Sequence, residues 1–345
     1  MLGEERIIRL SDPKERQAVA DFLAKFDLTF TEEVDYTFAL YREEQIIGTG
    51  SLSGKVLRNV AIDPNLQGEG LMAKVISHLM AEGARRGEYG FQLFTKPDKV
   101  KQFELAGFRM VAIAEPYAAL LEIGIGGIQS FCQQAASICS DLPPQGRAAL
   151  VMNCNPFTLG HRALIAKATQ ENEGVILFVV QEDRSVFSFE DRINLVRQGT
   201  ADLKNVRVIP GGDYIISSAT FPTYFVKGEE ALAAQTELDV TIFVQKIAPS
   251  LEIQKRYVGE EPTDITTQAY NDALLKILPS SGVELIVMPR ISVSGEMISA
   301  SKVRKALGED RWDDISKWVP STTLRYLQSD QAAKSIQKIK NMTKK

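Results

Sequence analysis

Histidine and cysteine are scarce in this chain. Its 345 residues include two histidines, His78 and His161, and three cysteines, Cys132, Cys139 and Cys154. The cysteines are odd in number and lack the spacing of a metal site, so neither a disulfide framework nor a cysteine-bound metal is expected. Unpaired thiols favour a reducing compartment, which makes the cytoplasm the expected location.

Long apolar runs and an excess of basic charge are also missing. No apolar segment is long enough to cross a bilayer, and charged residues occur within the first nine positions, where a secretory signal would need an apolar core. The net charge is −4. The short lysine-rich tail at residues 331–345 is expected to be solvated. We therefore expect neither a membrane nor a nucleic-acid partner.

What is present predicts a globular protein of two domains. Apolar residues make up 44% of the chain and charged residues 24%, and 345 residues exceed one ordinary hydrophobic core. A glycine-rich stretch after Glu122, which is expected to be flexible, and a Pro/Gly cluster at 141–146 flank a segment of helical composition. The predicted organisation is a domain at 1–122, a linker at 123–146, a domain at 147–330 and the tail at 331–345.

The first half carries a glycine-bearing loop between a strand and a helix. Alternating patterns predict strands at 36–42, 45–53, 56–62 and 90–95, and the sequence Gln67-Gly68-Glu69-Gly70-Leu71-Met72 precedes a helical pattern. Backbone N–H groups of such a loop, at a helix N-terminus, can hold a pyrophosphate. With the segment Phe103 to Phe108, this stretch resembles the GNAT acetyltransferase fold.

The GNAT resemblance implies an α+β domain that binds coenzyme A in this loop, with Gln67, Gly68 and Gly70 as candidate contacts. Two positions depart from the pattern: Met72 stands where a small residue is usual, and Phe103 stands where many relatives carry a tyrosine general acid. A phenyl ring has no proton to give. We therefore expect this half to bind a CoA-like group without being an acetyltransferase, and a scaffold that has lost its ligand is the alternative.

The second half alternates strands with helices, which predicts a Rossmann-like, doubly wound parallel sheet. Its first apolar strand, 147–152, leads into the loop Asn153-Cys154-Asn155-Pro156-Phe157-Thr158-Leu159-Gly160-His161 and then a helix. In such sheets ligands bind beyond the carboxyl ends of the strands. Thr158-Leu159-Gly160-His161 resembles the (His/Thr)-x-Gly-His signature of the nucleotidylyltransferase superfamily. His161 and Thr158 are the expected catalytic residues, acting on an α-phosphate, and Gly160 leaves room for it.

A second motif lies near the end of this half. Ile298-Ser299-Ala300-Ser301-Lys302-Val303-Arg304 resembles the partner motif Ile-Ser-x-(Ser/Thr)-x-x-(Arg/Lys) of the same superfamily. Hydroxyls and a guanidinium at a helix start suit the β- and γ-phosphates of ATP, although such serines also serve as ordinary N-caps. Mg²⁺ is expected with ATP, and no carboxylate cage for a protein-bound metal is visible. The expected ATP contacts are Asn155, Phe157, Gly160, His161, Arg290, Ser299, Ser301, Lys302 and Arg304.

Longer segments narrow the resemblance to one family, and they lie outside the generic motifs. They are 181–192, 214–225, 256–262 and 270–271. Together with both motifs they resemble the citrate (pro-3S)-lyase ligase family over the whole chain. Membership would imply that ATP activates acetate as acetyl-AMP with release of pyrophosphate. The acetyl group would then pass to the prosthetic-group thiol on the acyl carrier subunit of the citrate lyase complex.

Acetate is a small anion, so a cation is expected beside the α-phosphate. Arg184 and Arg192 are the candidates, although both lie among carboxylates and could form surface salt bridges instead. Ser217 and Thr220 could line the acyl pocket or cap the following segment.

Two other functions stay open. One is a simple nucleotidylyltransferase that makes a dinucleotide coenzyme precursor, and in the other the first domain only docks to the lyase complex.

Overall fold

The computed structural model describes residues 3–66, 68–182, 184–217, 220–226, 228, 230–260, 265–289, 292–293 and 296–343. The chain packs as two compact units, Met1–Ser130 with Phe221–Thr241, and Phe131–Thr220 with Ile242–Lys345. Packing thus assigns residues 221–241 to the first unit, although they lie well beyond the linker in the sequence. The functional boundaries at residues 122 and 147 stay a prediction.

The first unit is built on seven strands. Its elements up to the linker are β1 (Glu4–Ile7), α1 (Pro13–Ala24), β2 (Tyr36–Arg42), β3 (Gln45–Ser53), β4 (Val56–Ile62), α2 (Leu71–Arg85), β5 (Gly90–Thr95), α3 (Val100–Leu105), β6 (Arg109–Ala114) and β7 (Ala118–Gly124). Helix α4 (Ile128–Ile138) follows, and from Phe131 onward it belongs to the second unit. The stretch after Glu122, expected to be flexible, is therefore partly strand, because β7 continues to Gly124.

The sheet of the first unit has the order β1-β2-β3-β4-β5-β7-β6. All neighbours are antiparallel except β4 and β5, which are parallel and pair at only two positions, Val56 with Gln92 and Leu57 with Leu93. Beyond those positions the two strands have no paired residues, so the sheet opens between them. Helix α2 packs its apolar side, including Val75 and Leu79, into the core of this unit. The architecture is the predicted GNAT-like α+β fold.

The second unit holds the remaining elements, apart from most of α7. They are β8 (Arg147–Met152), α5 (Leu159–Glu171), β9 (Gly174–Val179), α6 (Phe189–Gly199), β10 (Val206–Pro210), α7 (Glu230–Ile242), α8 (Ala248–Ser250), β11 (Ile253–Gly259), α9 (Ile265–Ile277), β12 (Glu284–Met288), β13 (Ser292–Val293), β14 (Glu296–Met297), α10 (Ala300–Gly308), α11 (Trp312–Trp318), α12 (Ser321–Leu327) and α13 (Ala333–Thr343).

Five of these strands form a parallel sheet of order β10-β9-β8-β11-β12. Strands β8 and β9 are nearly continuous apolar runs, as expected of parallel strands that are covered on both faces. The strand order runs outward in both directions from β8, so the direction of winding changes next to β8, and the carboxyl end of this strand is the topological switch point of the sheet. The predicted doubly wound fold is confirmed. Among the residues described, no helix has the length and apolar character that a membrane span needs, and the cytoplasmic location stays a prediction.

Candidate active site

A cavity of about 550 Å³ lies in the second unit, beyond the carboxyl ends of β8, β11 and β12. The loop after β8 and the start of α10 both contribute to its wall. The structure therefore brings together two motifs that are about 140 residues apart in the sequence. The predicted residues that line this cavity are Asn155, Thr158, Gly160, His161, Ser299, Ser301 and Arg304.

Thr158 and His161 form a reciprocal cap at the start of α5. The Thr158 hydroxyl accepts from the His161 backbone N–H at 3.3 Å, and the Thr158 backbone N–H donates to His161 Nδ1 at 3.1 Å. A backbone N–H can only donate, so Nδ1 is an acceptor and the proton of the neutral imidazole resides on Nε2. The capping interaction therefore selects the tautomer of His161. It also engages the hydroxyl of Thr158, whose side chain is 2% exposed.

Gly160 and Phe157, both near the start of α5, have different surroundings: Gly160 lines the cavity and Phe157 is buried in the core. A Cβ added at Gly160 would meet only ordinary contacts, the nearest being Ile298 O at 3.6 Å. Protein packing therefore does not require glycine here, and the space opens toward the cavity. Phe157 is fully buried, and its ring lies 11° from parallel to the His161 ring with centroids 6.0 Å apart. It is not part of the cavity wall, so its role is to support His161 rather than to contact ATP.

Arg304 connects the two motifs. Its Nη1 donates to the Asn155 carbonyl at 2.5 Å and its Nη2 donates to the Ser301 hydroxyl at 3.0 Å. Burial lowers the pKa of Arg304 from its ordinary value, because a charged group is less well solvated inside the protein. Ser299 caps α10, its hydroxyl accepting from the Lys302 backbone N–H at 3.2 Å. The Lys302 side chain is exposed and does not line the cavity.

Arg192 has a different place from the one predicted. Its side chain is fully buried and lies outside the cavity wall. Its guanidinium donates to the Asn153 and Glu182 carbonyls, at 2.7 and 2.8 Å, and to further acceptors behind the loop. A guanidinium saturated by protein carbonyls has no donor to offer acetate, so Arg192 holds the loop in position. Arg184 is exposed and also lies outside the cavity wall.

The remaining candidates for the acyl pocket also lie away from this cavity. The Thr220 hydroxyl accepts from the Ser217 backbone N–H at 2.9 Å, and the Thr220 N–H donates to the Ser217 carbonyl at 3.1 Å. Thr220 is therefore hydrogen-bonded locally to Ser217, and neither residue lines the cavity. Arg290, a predicted ATP contact, lies outside the described residues.

Arg256, Tyr270 and Asn271 are among the cavity residues that were not predicted as site residues. All three lie in the segments 256–262 and 270–271, which carry the family resemblance and are the signal that could have indicated them. Among the described residues of the cavity wall, Glu260 is the single carboxylate, and no group of three metal-ligating side chains occurs in the described part of the chain. Two helix N-termini and two arginines, Arg256 and Arg304, share the described cavity wall with that one carboxylate, so the cavity favours anions.

A second cavity, of about 600 Å³, lies in the first unit where β4 and β5 separate. Gly68 and Gly70 line it, with φ of +92° and +75°, and Gly70 is the residue before α2. Left-handed φ values favour glycine. Apart from the chain neighbours of each glycine, no atom of the described residues lies within 4 Å of a Cβ added at either position. These glycines form an open loop at a helix start, as predicted. Gln67 lies outside the described residues.

One wall of this second cavity comes from the segment 221–226. The Tyr224 hydroxyl donates to the Phe94 carbonyl of β5 at 2.6 Å, and the Thr29 N–H donates to the Tyr224 carbonyl at 2.8 Å. Burial raises the pKa of the Tyr224 hydroxyl. Tyr224 thus takes a strand acceptor that would otherwise face the opening. Phe103, also on the wall, is 5% exposed and packs edge-on against Phe108.

Comparison with known proteins agrees with both motifs. Residues 147–327 match the family model described as citrate lyase ligase C-terminal domain. A citrate (pro-3S)-lyase ligase of Klebsiella pneumoniae is 35% identical over 94% of this chain and 95% of its own length. One of Haemophilus influenzae is 36% identical over 92% and 96%, respectively.

Among solved structures, Thermotoga maritima TmcAL bound with alpha-thio ATP is similar to this chain at 14% identity and a TM-score of 0.37. The match covers 53% of this chain and 55% of that one. The curated ligases, in contrast, are related to the chain over nearly its full length, and the family model spans the unit that carries both motifs. The chain belongs to the citrate (pro-3S)-lyase ligase family of enzymes.

Proposed function

We propose that the chain is an ATP-dependent ligase that activates acetate as acetyl-AMP and then acetylates the thiol of the prosthetic group on the citrate lyase acyl carrier subunit. The observation that carries this proposal is the convergence of both motifs, and of the starts of α5 and α10, on one anion-favouring cavity. Family membership supports the coarser statement, a ligase that activates citrate lyase.

The first half-reaction needs positioning and charge neutralisation rather than a protein nucleophile. An acetate oxygen attacks the α-phosphorus, and pyrophosphate leaves with the electron pair of the broken P–O bond. His161, with its Nε2 proton, donates to the α-phosphate as charge builds there. Arg304 and the hydroxyls of Ser299 and Ser301 hold the leaving phosphates together with the free amides at the start of α10.

Mg²⁺ is expected with the nucleotide. A lone carboxylate, Glu260, lines the described part of the cavity, and Mg²⁺ commonly binds through substrate phosphates and water with one or two carboxylates. The residues present therefore fit a metal held chiefly by ATP. When bound, it would neutralise charge on the phosphates.

In the second half-reaction the thiolate sulfur attacks the acetyl carbonyl, a thioester forms, AMP leaves, and the thiol proton passes to solvent. We propose that the cavity of the first unit binds the CoA-like arm that carries this thiol. Gly68 and Gly70 at the start of α2 suit its phosphates. Lys96 and Lys99 lie on the same wall, where they form ion pairs with Asp27 and Asp98 that a phosphate would compete for. Phe103 cannot act as a general acid, which fits a binding role.

The experiment is acetate-dependent ATP–pyrophosphate exchange by the full chain, followed by addition of deacetylated citrate lyase. We expect exchange that requires acetate, then AMP release and an active lyase. A stable dinucleotide product without acetate dependence would instead support the simple nucleotidylyltransferase. Equal binding of the full chain to thiol-bearing and thiol-free carrier would contradict recognition of the arm and favour a docking module.

His161→Ala tests the chemistry of the site. Loss of a donor to the developing charge is expected to cost about 2–4 kcal/mol in the transition state, which lowers exchange by roughly 30- to 1,000-fold. The free energy of unfolding should fall only by the contribution of one helix cap, roughly 1 kcal/mol. Exchange within a few-fold of the original rate would refute the assigned role.

A further inference from the structure

Arg256 is a buried cation with unused donors. It lies in the middle of β11, its side chain is 1% exposed, and it contributes to the wall of the 550 Å³ cavity. The guanidinium lies 4.5 Å from the centroid of the Phe243 ring, and its Nη2 donates to the Tyr270 hydroxyl at 3.3 Å. Within the described ranges, its Nε and Nη1 have no hydrogen-bond acceptor.

Other buried arginines of this unit are treated differently. Arg147 donates through Nε, Nη1 and Nη2 to the carbonyls of Pro143, Leu251 and Leu142. Arg192 is saturated by carbonyls in the same way. Burying a guanidinium whose donors lack acceptors is costly. Arg256 is the exception among the three, and it is also the one at the cavity.

The surroundings of Arg256 suit a ligand with one charged end and one small apolar end. Arg256 is in register with Ala149 of β8. Because side chains alternate along a strand, Val151 and Val258 lie on the same face as Arg256, and both line the cavity. A guanidinium next to two valines matches a carboxylate on a short aliphatic chain. Phosphates, in contrast, have the starts of α5 and α10.

We propose that Arg256 binds the carboxylate of a short-chain monocarboxylic acid, and that Val151 and Val258 receive its aliphatic end. The inference rests on the proposed function, in which that acid is acetate. It assigns to Arg256 the role that the sequence suggested for Arg184 and Arg192. Arg256 is a substrate-binding residue on this account, with Phe243 covering its flat face.

The test uses the full chain and its variants Arg256→Met and Arg256→Lys in acetate-dependent ATP–pyrophosphate exchange. We expect KM for acetate to rise at least 30-fold in both variants, with KM for ATP within threefold of the original. Arg147→Met is the matched control, because it removes a buried arginine outside the cavity wall. It should leave KM for acetate unchanged even if it lowers the unfolding midpoint.

A second measurement does not depend on adenylation. Sodium acetate, compared with sodium chloride at equal ionic strength, should raise the unfolding midpoint of the original chain but not of Arg256→Met. The midpoint of Arg256→Met in chloride should equal or exceed the original, since an incompletely paired buried charge is gone. Arg256→Lys keeps the test decisive if the methionine variant does not fold.

The outcomes separate this inference from the proposed function. An unchanged KM for acetate in either folded variant, or a rise in KM for ATP alone, would overturn the role of Arg256. If exchange by the original chain needs no acetate, the proposed function fails, and the midpoint measurement still decides about Arg256. Stabilisation by acetate that the variants lose supports carboxylate binding, and equal behaviour of all chains refutes it.

Discussion

Replacing Arg192 by methionine tests whether this residue organises the loop or binds acetate. Its guanidinium makes contacts with five acceptors. They are the carbonyls of Phe187, Asn153, Val180 and Glu182, at 3.3, 2.7, 2.9 and 2.8 Å, and the Asn153 side-chain oxygen at 2.6 Å. Methionine fills similar space but donates to none of them.

The magnitude follows from the acceptors that stay buried. The hydrogen bonds to the Phe187 and Val180 carbonyls are buried, and the others are partly buried. Each buried acceptor left unpaired costs about 1–3 kcal/mol, so Arg192→Met should lose roughly 2–6 kcal/mol of unfolding free energy. For a unit of this size that corresponds to a fall of roughly 10 °C in Tm.

Urea unfolding followed by tryptophan emission reports on the stability of the second unit, in which Arg192 lies. The chain has two tryptophans, Trp312 and Trp318, and both lie in the second unit. Arg184→Met, at an exposed position nearby, is the control and should change the unfolding free energy by less than about 0.5 kcal/mol. A stable Arg192→Met variant that loses acetate binding would refute the structural role and restore the acetate contact.

Two further predictions concern packing around the loop 153–161. Gly199→Ala places a Cβ against the fully buried Phe157 ring, 2.8 Å from its Cδ1, so we expect roughly 1–3 kcal/mol of destabilisation in urea unfolding and slower ATP–pyrophosphate exchange. Gly160→Ala is the control, which should keep its stability but bind ATP less tightly. Equal stability of the two variants would contradict the packing argument. Cys154 is 1% exposed, and burial raises the pKa of its thiol. Iodoacetamide should therefore label Cys154 at least 100-fold more slowly in native protein than in urea, as measured by mass spectrometry. Rapid labelling of the native protein would show that this loop opens.

Much of the fold is predictable from local pattern. Strands β2, β3, β4, β5 and β8 begin and end where the alternation or the apolar runs predict. The pattern does not predict β1, whose four residues are mostly exposed and charged at an edge of the sheet. It also reads the glycines after Glu122 as flexible, although β7 continues to Gly124, because pairing with β5 and β6 supplies order that local sequence does not contain.

The candidate site divides in the same way. Gly160, His161, Ser299 and Ser301 act through turns and helix starts, which are local structures with recognisable sequences, so their positions at a cavity could be predicted. Arginines are harder, because the same side chain serves as a surface ion pair, a buried support or a ligand contact. Arg192 was one of two candidates for the acetate contact, with a surface salt bridge as the alternative. It instead donates to the carbonyls of Asn153, Val180 and Glu182.

By itself, the sequence determined the two fold classes, because periodicity and turn chemistry are local properties of the chain. Its motifs and family-specific segments also sufficed to indicate the family by resemblance. Only the tertiary structure decided which residues share a wall. Register between β8 and β11 places Arg256 beside Val151 and Val258, and packing brings Tyr224, far along the chain, to the Phe94 carbonyl of the first unit. Such contacts depend on the three-dimensional path of the backbone, so the residues that we propose to hold the small substrates can be identified only in the folded chain.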